Sequence, residues 1–173
     1  MSTVLGGLSP DLNAAIIVLQ HLYPDHPSHL ANILAGRTRL RVKEAATRDR
    51  LVRGTILTAP PGLHLRVNPD GMIAFSHRPA INFVRPAADR LFESLARSFG
   101  SRTIAVILTG TGRDGAMGAQ VVKQAGGIVI VQDEATSEFF GMPRAAIKAG
   151  EVDRVLPLEE IAAALEAYTG NLH

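Results

Sequence analysis

Residues 103–131 confine this chain more than any other stretch. They run from a short apolar segment, "TIAVIL" (103–108), through a turn holding Gly110, Gly112 and Gly115 into a helix-like stretch (115–125). A second apolar segment (127–131) follows. Strand, glycine turn, helix and strand in that order make two parallel neighbours joined by a crossover. The alternation extends in both directions. "AAIIVL" (14–19) is a continuous apolar run of the length of a strand buried on both faces. "SHLANILAG" (28–36) predicts a helix capped by Ser28, with Leu30, Ile33 and Leu34 on one face and Gly36 as its stop. Residues 85–100 predict a longer helix, with Pro86 in its first turn, a stripe of Ala88, Leu91, Phe92, Leu95 and Phe99, and Gly100 at its end. A short helix near 143–149, a strand at 152–156 and an amphipathic helix at 158–168 complete the series. Together they predict an α/β sheet.

Residues 38–75 have a different texture. "RLRV", "TILTA", "LHLRV" and "MIAF" are short alternating pieces broken by "APPG" (59–62) and "NPDG" (68–71). The expectation is an insertion of antiparallel β-ribbons over about 38–75. No internal repeat or composition shift divides the chain, so residues 1–173 are expected to form one domain.

Composition narrows the function classes. With 46% apolar and 20% charged residues, the chain has enough apolar surface to build a core, which excludes disorder. The formal charge is only +2, and the basic residues of 37–53 are interleaved with apolar and acidic ones, which argues against nucleic acid as partner. The absence of cysteine removes disulfides, a thiol nucleophile and thiolate metal sites, and fits a cytoplasmic protein. The run 14–19 is too short to span a bilayer and no signal-peptide pattern precedes it, so no membrane insertion is expected.

Gly110, Gly112 and Gly115 in "VILTGTGRDGAMG" spell Gly-x-Gly-x-x-Gly after a strand, the pattern of a dinucleotide-binding turn, and Asp133 stands about where a ribose-binding acid belongs. Against that, Asp114 lies inside the turn, where its charge would repel a pyrophosphate. A carboxylate at the carboxyl end of an α/β strand, where the following helix dipole favours negative charge, is instead placed to orient something in the crevice. The candidate partner is His21, at the carboxyl end of strand 14–19. In a parallel sheet both strand ends open onto the same edge, so His21 and Asp114 are expected to meet there. No cofactor and no metal are expected. His21, His26 and His29 lie across a loop containing Pro24 and Pro27 at spacings that match no common metal site.

In order, "VLQHLYPDHPSHLANIL", "TILTAPPGLHL", "HRPAINFVRPAADRLFESLA", "AVILTGTGRDGAMGAQVVKQAGGIVIVQDEATSEFFGMPRAAIKAG" and "DRVLPLEEIAAAL" resemble the catalytic domain of the CheB-type chemotaxis receptor methylesterases, over about residues 4–168. The resemblance implies a doubly wound, mostly parallel sheet with helices on both faces. It also implies hydrolysis of γ-glutamyl methyl esters on the cytoplasmic helices of methylated chemoreceptors to glutamate and methanol, with glutamine deamidation in some members. By motif match His21 is the histidine and Asp114 the aspartate of a Ser-His-Asp triad, in which the imidazole moves the nucleophile's proton and the carboxylate fixes its tautomer. Thr111, Gly112 and Met142 are candidates to line the substrate cleft, with backbone N–H groups of the turn as oxyanion donors. His64 and His77 match family motifs as supports of the fold or cleft wall. Phe139 and Phe140 are candidates to face a partner helix or the core.

The serine is the departure. The family carries it in a Gly-x-Ser-x-Gly-Gly turn after a first strand well upstream of the triad histidine, whereas only twenty residues precede His21 here. Ser2 only faintly echoes that turn, Ser9 precedes Pro10 as a loop residue, and Ser28 is better explained as a helix cap. A receiver domain, which many members carry, finds no match either, so the protein, if it acts, is expected to be either constitutive or controlled by a separate signalling regulator. Self-association is a further possibility, since without a central strand the sheet would expose apolar edges. Two function classes follow: a methylesterase whose serine turn lies upstream, or a catalytically silent module that binds receptors or partners through the same cleft.

Overall fold

The computed structural model describes residues 1–21, 28–150 and 152–170. Its eight strands and six α-helices are α1 (Ser2–Gly6), β1 (Ile16–Val18), α2 (Leu30–Ala35), β2 (Arg41–Glu44), β3 (Thr55–Thr58), β4 (His64–Val67), β5 (Ile73–Ser76), α3 (Ala88–Phe99), β6 (Ile104–Ile107), α4 (Ala116–Gln124), β7 (Ile128–Gln132), α5 (Gly141–Ala149), β8 (Arg154–Leu156) and α6 (Ile161–Gly170). The strand–helix alternation read from the sequence is therefore present, and the α/β class holds. The starts of α2 and α3 fall slightly later than expected. Ser28 accepts a hydrogen bond from the Leu30 N–H at 3.2 Å but sits two residues before α2, and Pro86 lies just ahead of α3 rather than in its first turn.

Two three-stranded parallel sheets carry the fold, in the orders β1-β3-β2 and β6-β7-β8. Between β1 and β2 the chain crosses over through α2, and between β6, β7 and β8 through α4 and α5. The expected antiparallel ribbon is present but covers less of 38–75 than the pattern suggests. β2 pairs in parallel with β3, Arg41 opposite Thr55 and Glu44 opposite Thr58, so both belong to the first parallel sheet. Among the described residues of that region, the antiparallel pairing is that of β4 with β5, His64 opposite Ser76, and a lone bridge between Arg50 and Met72. The connection from β2 to β3 contains no helix, and β2 is a charged edge strand whose Arg41, Lys43 and Glu44 are exposed. An edge strand with one wet face alternates in hydropathy as a hairpin strand does, which is why pattern alone misassigns it.

Apolar burial ties both sheets to helices on two faces. On one face Leu5 of α1, Leu8 just after it and Ile161 of α6 pack with Val18 and Ile56 of the first sheet and with Ile130 and Leu156 of the second. On the other, Ala88, Phe92 and Ala96 of α3 and Ala119 and Val122 of α4 cover Ala105, Ile107, Val129 and Val131. α3 also turns Leu91, half-buried Leu95 and Phe99 onto the β4–β5 pair, Leu65, Val67 and Ile73. The stripe predicted for 85–100 is thus real but serves two clusters at once, with α3 as the wedge between them.

α3 and α4 touch at Gly118, where an added Cβ would lie 2.7 Å from the Phe92 Cβ and 2.9 Å from the Asp89 Cα. A side chain there has to push the two helices apart. Gly118→Ala is expected to destabilise the protein by about 1–3 kcal/mol, despite the roughly 1 kcal/mol that alanine gains in helix propensity. Urea denaturation measures this, and an unchanged or raised midpoint would show that the helices are not in close contact.

Candidate active site

The site forms where β1 and β6 end. Three residues past β1, the His21 Nε2 lies 2.7 Å from an Asp114 carboxylate oxygen, joining positions 93 residues apart. With Nε2–H donating to the carboxylate, the other ring nitrogen, Nδ1, is left with a free lone pair. The His21 side chain is 28% exposed and that of Asp114 only 3%, so the imidazole reaches the surface from a sealed acid. The expected meeting of these two residues is what the structure shows.

Asp114 is held by helix geometry, though not that of the helix it precedes. Its two oxygens accept the N–H groups of Ala88 (2.6 Å) and Asp89 (3.1 Å), the first residues of α3. In return Asp89 accepts the N–H groups of Gly115 (3.0 Å) and Gly118 (2.7 Å) at the start of α4. Neither helix has a side-chain cap from its own N-terminal flank. Each therefore satisfies the other's unpaired N-terminal donors. Burial, and after it the charge of Asp114, pushes the Asp89 carboxyl above the usual carboxylate range, against the pull of its two N–H donors.

The glycines serve this turn. Gly112 and Gly115 adopt φ of +84° and +93°, which a side chain would strain. Gly110 gives way to Met142, whose sulfur would lie 2.5 Å from an added Cβ. The loop is then stapled at three points. Gly110 and Met142 exchange backbone hydrogen bonds with the α5 approach, Gly110 N–H to Phe139 O and Met142 N–H to Gly110 O, both at 2.8 Å. Buried Gln132, at the end of β7, accepts the Thr109 N–H at 2.8 Å. Arg113 Nε donates to the Asn82 side chain at 3.1 Å. Asp89 and Gln132 were not singled out from the sequence.

Of the other cleft candidates, Thr111 and Gly112 are exposed on the outside of the turn, and half-buried Met142 packs beneath Gly110. Among the described residues none of the three makes a side-chain hydrogen bond to His21 or Asp114. Phe139 is exposed, whereas half-buried Phe140 lies under the Arg144 guanidinium, 5.4 Å from its ring centroid. His64 is buried and built into the frame: its Nδ1 accepts the Ala87 N–H at 3.2 Å and its Nε2 faces the Pro79 carbonyl at 3.0 Å. His77 and His29 are exposed, and His26 lies outside the described residues.

A dinucleotide has no hold on this turn. The N–H groups of Gly115 and Gly118 that would face a pyrophosphate are occupied by Asp89. Asp133 binds the N–H and hydroxyl of Thr136 (3.0 and 2.6 Å) in a local turn. Nor does a serine of the described chain reach His21. Ser9 accepts the Asp11 N–H, Ser28 that of Leu30, and Ser2 opens α1. Within the described residues the histidine and its acid are assembled without a hydroxyl to activate. No described helix is long and apolar enough to cross a membrane.

The chain is similar in sequence and fold to known proteins. A family profile described as "CheB methylesterase" matches residues 1–165. The protein-glutamate methylesterase/protein-glutamine glutaminase 2 of Anaeromyxobacter dehalogenans is 48% identical over 169 residues, covering 98% of this chain and 49% of its own length. The protein-glutamate methylesterase FrzG of Myxococcus xanthus is 45% identical, over 88% of this chain and 46% of its own. The chain thus spans about half the length of these curated relatives. The crystal structure of the Thermotoga maritima CheB methylesterase catalytic domain superposes with a TM-score of 0.92 at 38% identity, over 96% of this chain and 90% of that one.

The crossed caps are tested at Asp89. Asp89→Ala strands two helix N–H groups and is expected to cost about 2–4 kcal/mol. Asp89→Asn keeps an oxygen acceptor for both and removes the charge. With its carboxyl raised, Asp89 makes the folded state bind more protons than the unfolded one, so stability falls as pH rises from about 3.9 through the raised value. The Asn variant escapes that fall. It should match or exceed the parent near pH 7 and lose the advantage near pH 3. Denaturation at both pH values decides, and an Asn variant as damaged as the Ala variant at each would sink the capping account.

Proposed function

This chain belongs to the CheB methylesterase family, and on that premise we propose that it carries the proton-transfer half of a protein-glutamate methylesterase site. The observation that supports it is the 2.7 Å His21–Asp114 hydrogen bond, with a sealed acid and an imidazole open to the surface. The substrates proposed are γ-glutamyl methyl esters on chemoreceptor cytoplasmic helices, with glutamine side-chain amides as a second class, in line with the names of the relatives.

In this reading Nδ1 of His21 takes the proton of an attacking hydroxyl as the hydroxyl oxygen bonds to the ester carbonyl carbon. The imidazolium is stabilised by the Asp114 carboxylate and returns the proton to the departing methoxide, which leaves as methanol. Water then attacks the acyl intermediate by the same route and releases glutamate; with glutamine the first leaving group is ammonia. The backbone N–H groups of Thr111 and Gly112, which donate to no described residue, are the proposed donors to the oxyanion. Met142 beneath Gly110 fixes their height in the cleft.

The hydroxyl belongs to a serine turn seated against this site. Among the described residues β1 pairs with β3 alone and β6 with β7 alone, so each strand has an unpaired edge. The apolar Ile16, Ile17, Ile104 and Val106 on those strands are only partly buried. A parallel strand laid between them would pair with both and deliver its carboxyl-terminal turn to His21. The same edges are where self-association would occur, and a separate regulator would act at this face.

The test compares the 173-residue chain with the same chain joined behind a strand and turn that carry the family's Gly-x-Ser-x-Gly-Gly pattern. Methanol release from methylated chemoreceptor is expected from the joined protein and not from the shorter one. His21→Ala or Asp114→Ala in the joined protein should lower the rate by about 10⁴-fold or more. A folded joined protein that binds receptor without releasing methanol would replace the esterase reading with that of a silent binding module.

A further inference from the structure

On the flank of the domain, between β4–β5 and α3, lies a cavity of about 280 Å³ whose wall carries four arginines: Arg66, Arg78, Arg90 and Arg97. Its floor is His64, whose Nδ1 accepts the Ala87 N–H. The next N–H, that of Ala88, binds Asp114, so the cavity and the candidate active site lie on either side of the α3 start. A single carboxylate lines the cavity, Glu93, paired with Arg90 at 3.2 Å. That leaves a lining charge of three positive units, four arginines less one glutamate, in a molecule whose whole formal charge is +2.

Such a concentration of guanidinium groups attracts an anion. Like charges around one concavity repel, and the low-dielectric wall strengthens that repulsion. Among the described residues Arg66, Arg78 and Arg97 have no ion-pair partner. The Nε of Arg90 is buried with no hydrogen-bond acceptor.

The spread of the charges defines the ligand. Arg90 and Arg97 are seven residues apart on α3, two turns or about 10 Å along the helix. Arg66 faces them from β4 and Arg78 from the end of β5. Guanidinium groups strung over that length suit several carboxylates in series rather than one compact phosphate. No Phe, Tyr or Trp is among the residues that line the cavity, and its His64 is buried and engaged with Ala87 and Pro79, which separates it from a nucleic-acid groove.

We propose that this arginine-lined cavity is a docking site for an acidic peptide segment, distinct from the His21–Asp114 cleft. It holds whether or not the chain is an esterase. If it is one, the site grips an acidic stretch of the protein being modified while another part of that protein enters the cleft.

Fluorescence anisotropy of a labelled oligo-glutamate peptide with the 173-residue chain tests the site directly. Saturable binding is expected, weakening with added salt, with an oligo-glutamine peptide failing to bind. The Arg90→Ala/Arg97→Ala double variant should lose affinity by about tenfold or more. Glu93→Gln, which removes the competing carboxylate, should gain about two- to fivefold; this gain stands even if the double variant folds poorly. Arg39→Ala, ahead of β2 on the other sheet, should change affinity by less than about twofold. The proposal is overturned if oligo-glutamine binds equally, if Glu93→Gln leaves affinity unchanged or lowers it, or if Arg39→Ala matches the double variant. Inorganic phosphate or single-stranded DNA binding as tightly as the peptide would overturn it as well.

Discussion

Two carboxylates exchanged between two helices hold this site together. Asp114 leaves the turn before α4 to bind the first N–H groups of α3, and Asp89 leaves the first turn of α3 to bind those of α4. A helix start has donors that its own turns cannot satisfy, and burying them unpaired is costly. Here each helix meets that need only when the other is in place. The candidate catalytic acid is thereby fixed by an interaction that exists only once α3 and α4 have packed, which couples its orientation to the folding of both. The arrangement also buries two acids side by side. That raises the Asp89 carboxyl while the N–H donors of both helix starts hold the negative charge.

This coupling explains why the glycines of the turn carry no cofactor. Gly112 and Gly115 supply positive φ so that the chain can reverse and present Asp114. Gly118 supplies the absence of a side chain so that α4 can lie within reach of Asp89. The same three-glycine spacing in a dinucleotide fold keeps the helix start open for a phosphate. Here it is closed by a protein carboxylate. Spacing alone does not separate the two uses; the identity of the group reaching the helix N–H groups does.

Legibility in the sequence followed the same divide. The strands that precede His21 and Asp114, the stripe of α3 and the α/β class could be read because each is a local periodicity. His21 and Asp114 could be paired because both stand at carboxyl ends of apolar strands in a parallel fold. The parallel pairing of β2 with β3 was hidden, since an edge strand and a hairpin strand share one alternation and no helix stands between the two. Asp89 was hidden for another reason. An acid in the first turn of a helix reads as a complement to that helix's own dipole. Yet Asp89 stands three residues before Phe92 and seven before Ala96, both buried, so its place on the inward face was the available sign that it serves a neighbour. Gln132, continuing an apolar strand into the interior, carried a similar sign: a polar side chain at a core position must find a partner, here the Thr109 N–H.

The two parallel sheets meet without pairing. Leu5, Leu8, Ile130 and Ile161 form a common core behind them, and in front they are joined by the His21–Asp114 bond, whose histidine comes from one sheet and whose acid from the other. The acid side is rigid, since Asp114 has three partners and its loop three staples. Among the described residues the histidine side has one: His21 follows a three-residue strand that is hydrogen-bonded on a single edge. Whatever occupies the seam between β1 and β6 therefore acts mainly on His21, by fixing the strand that carries it. A segment that brought a hydroxyl into the seam would do two things with one set of backbone hydrogen bonds. It would supply the atom that His21 deprotonates, and it would hold the imidazole at the distance where that transfer is possible. The acid needs no such help, because the exchange of caps between α3 and α4 already holds it in position.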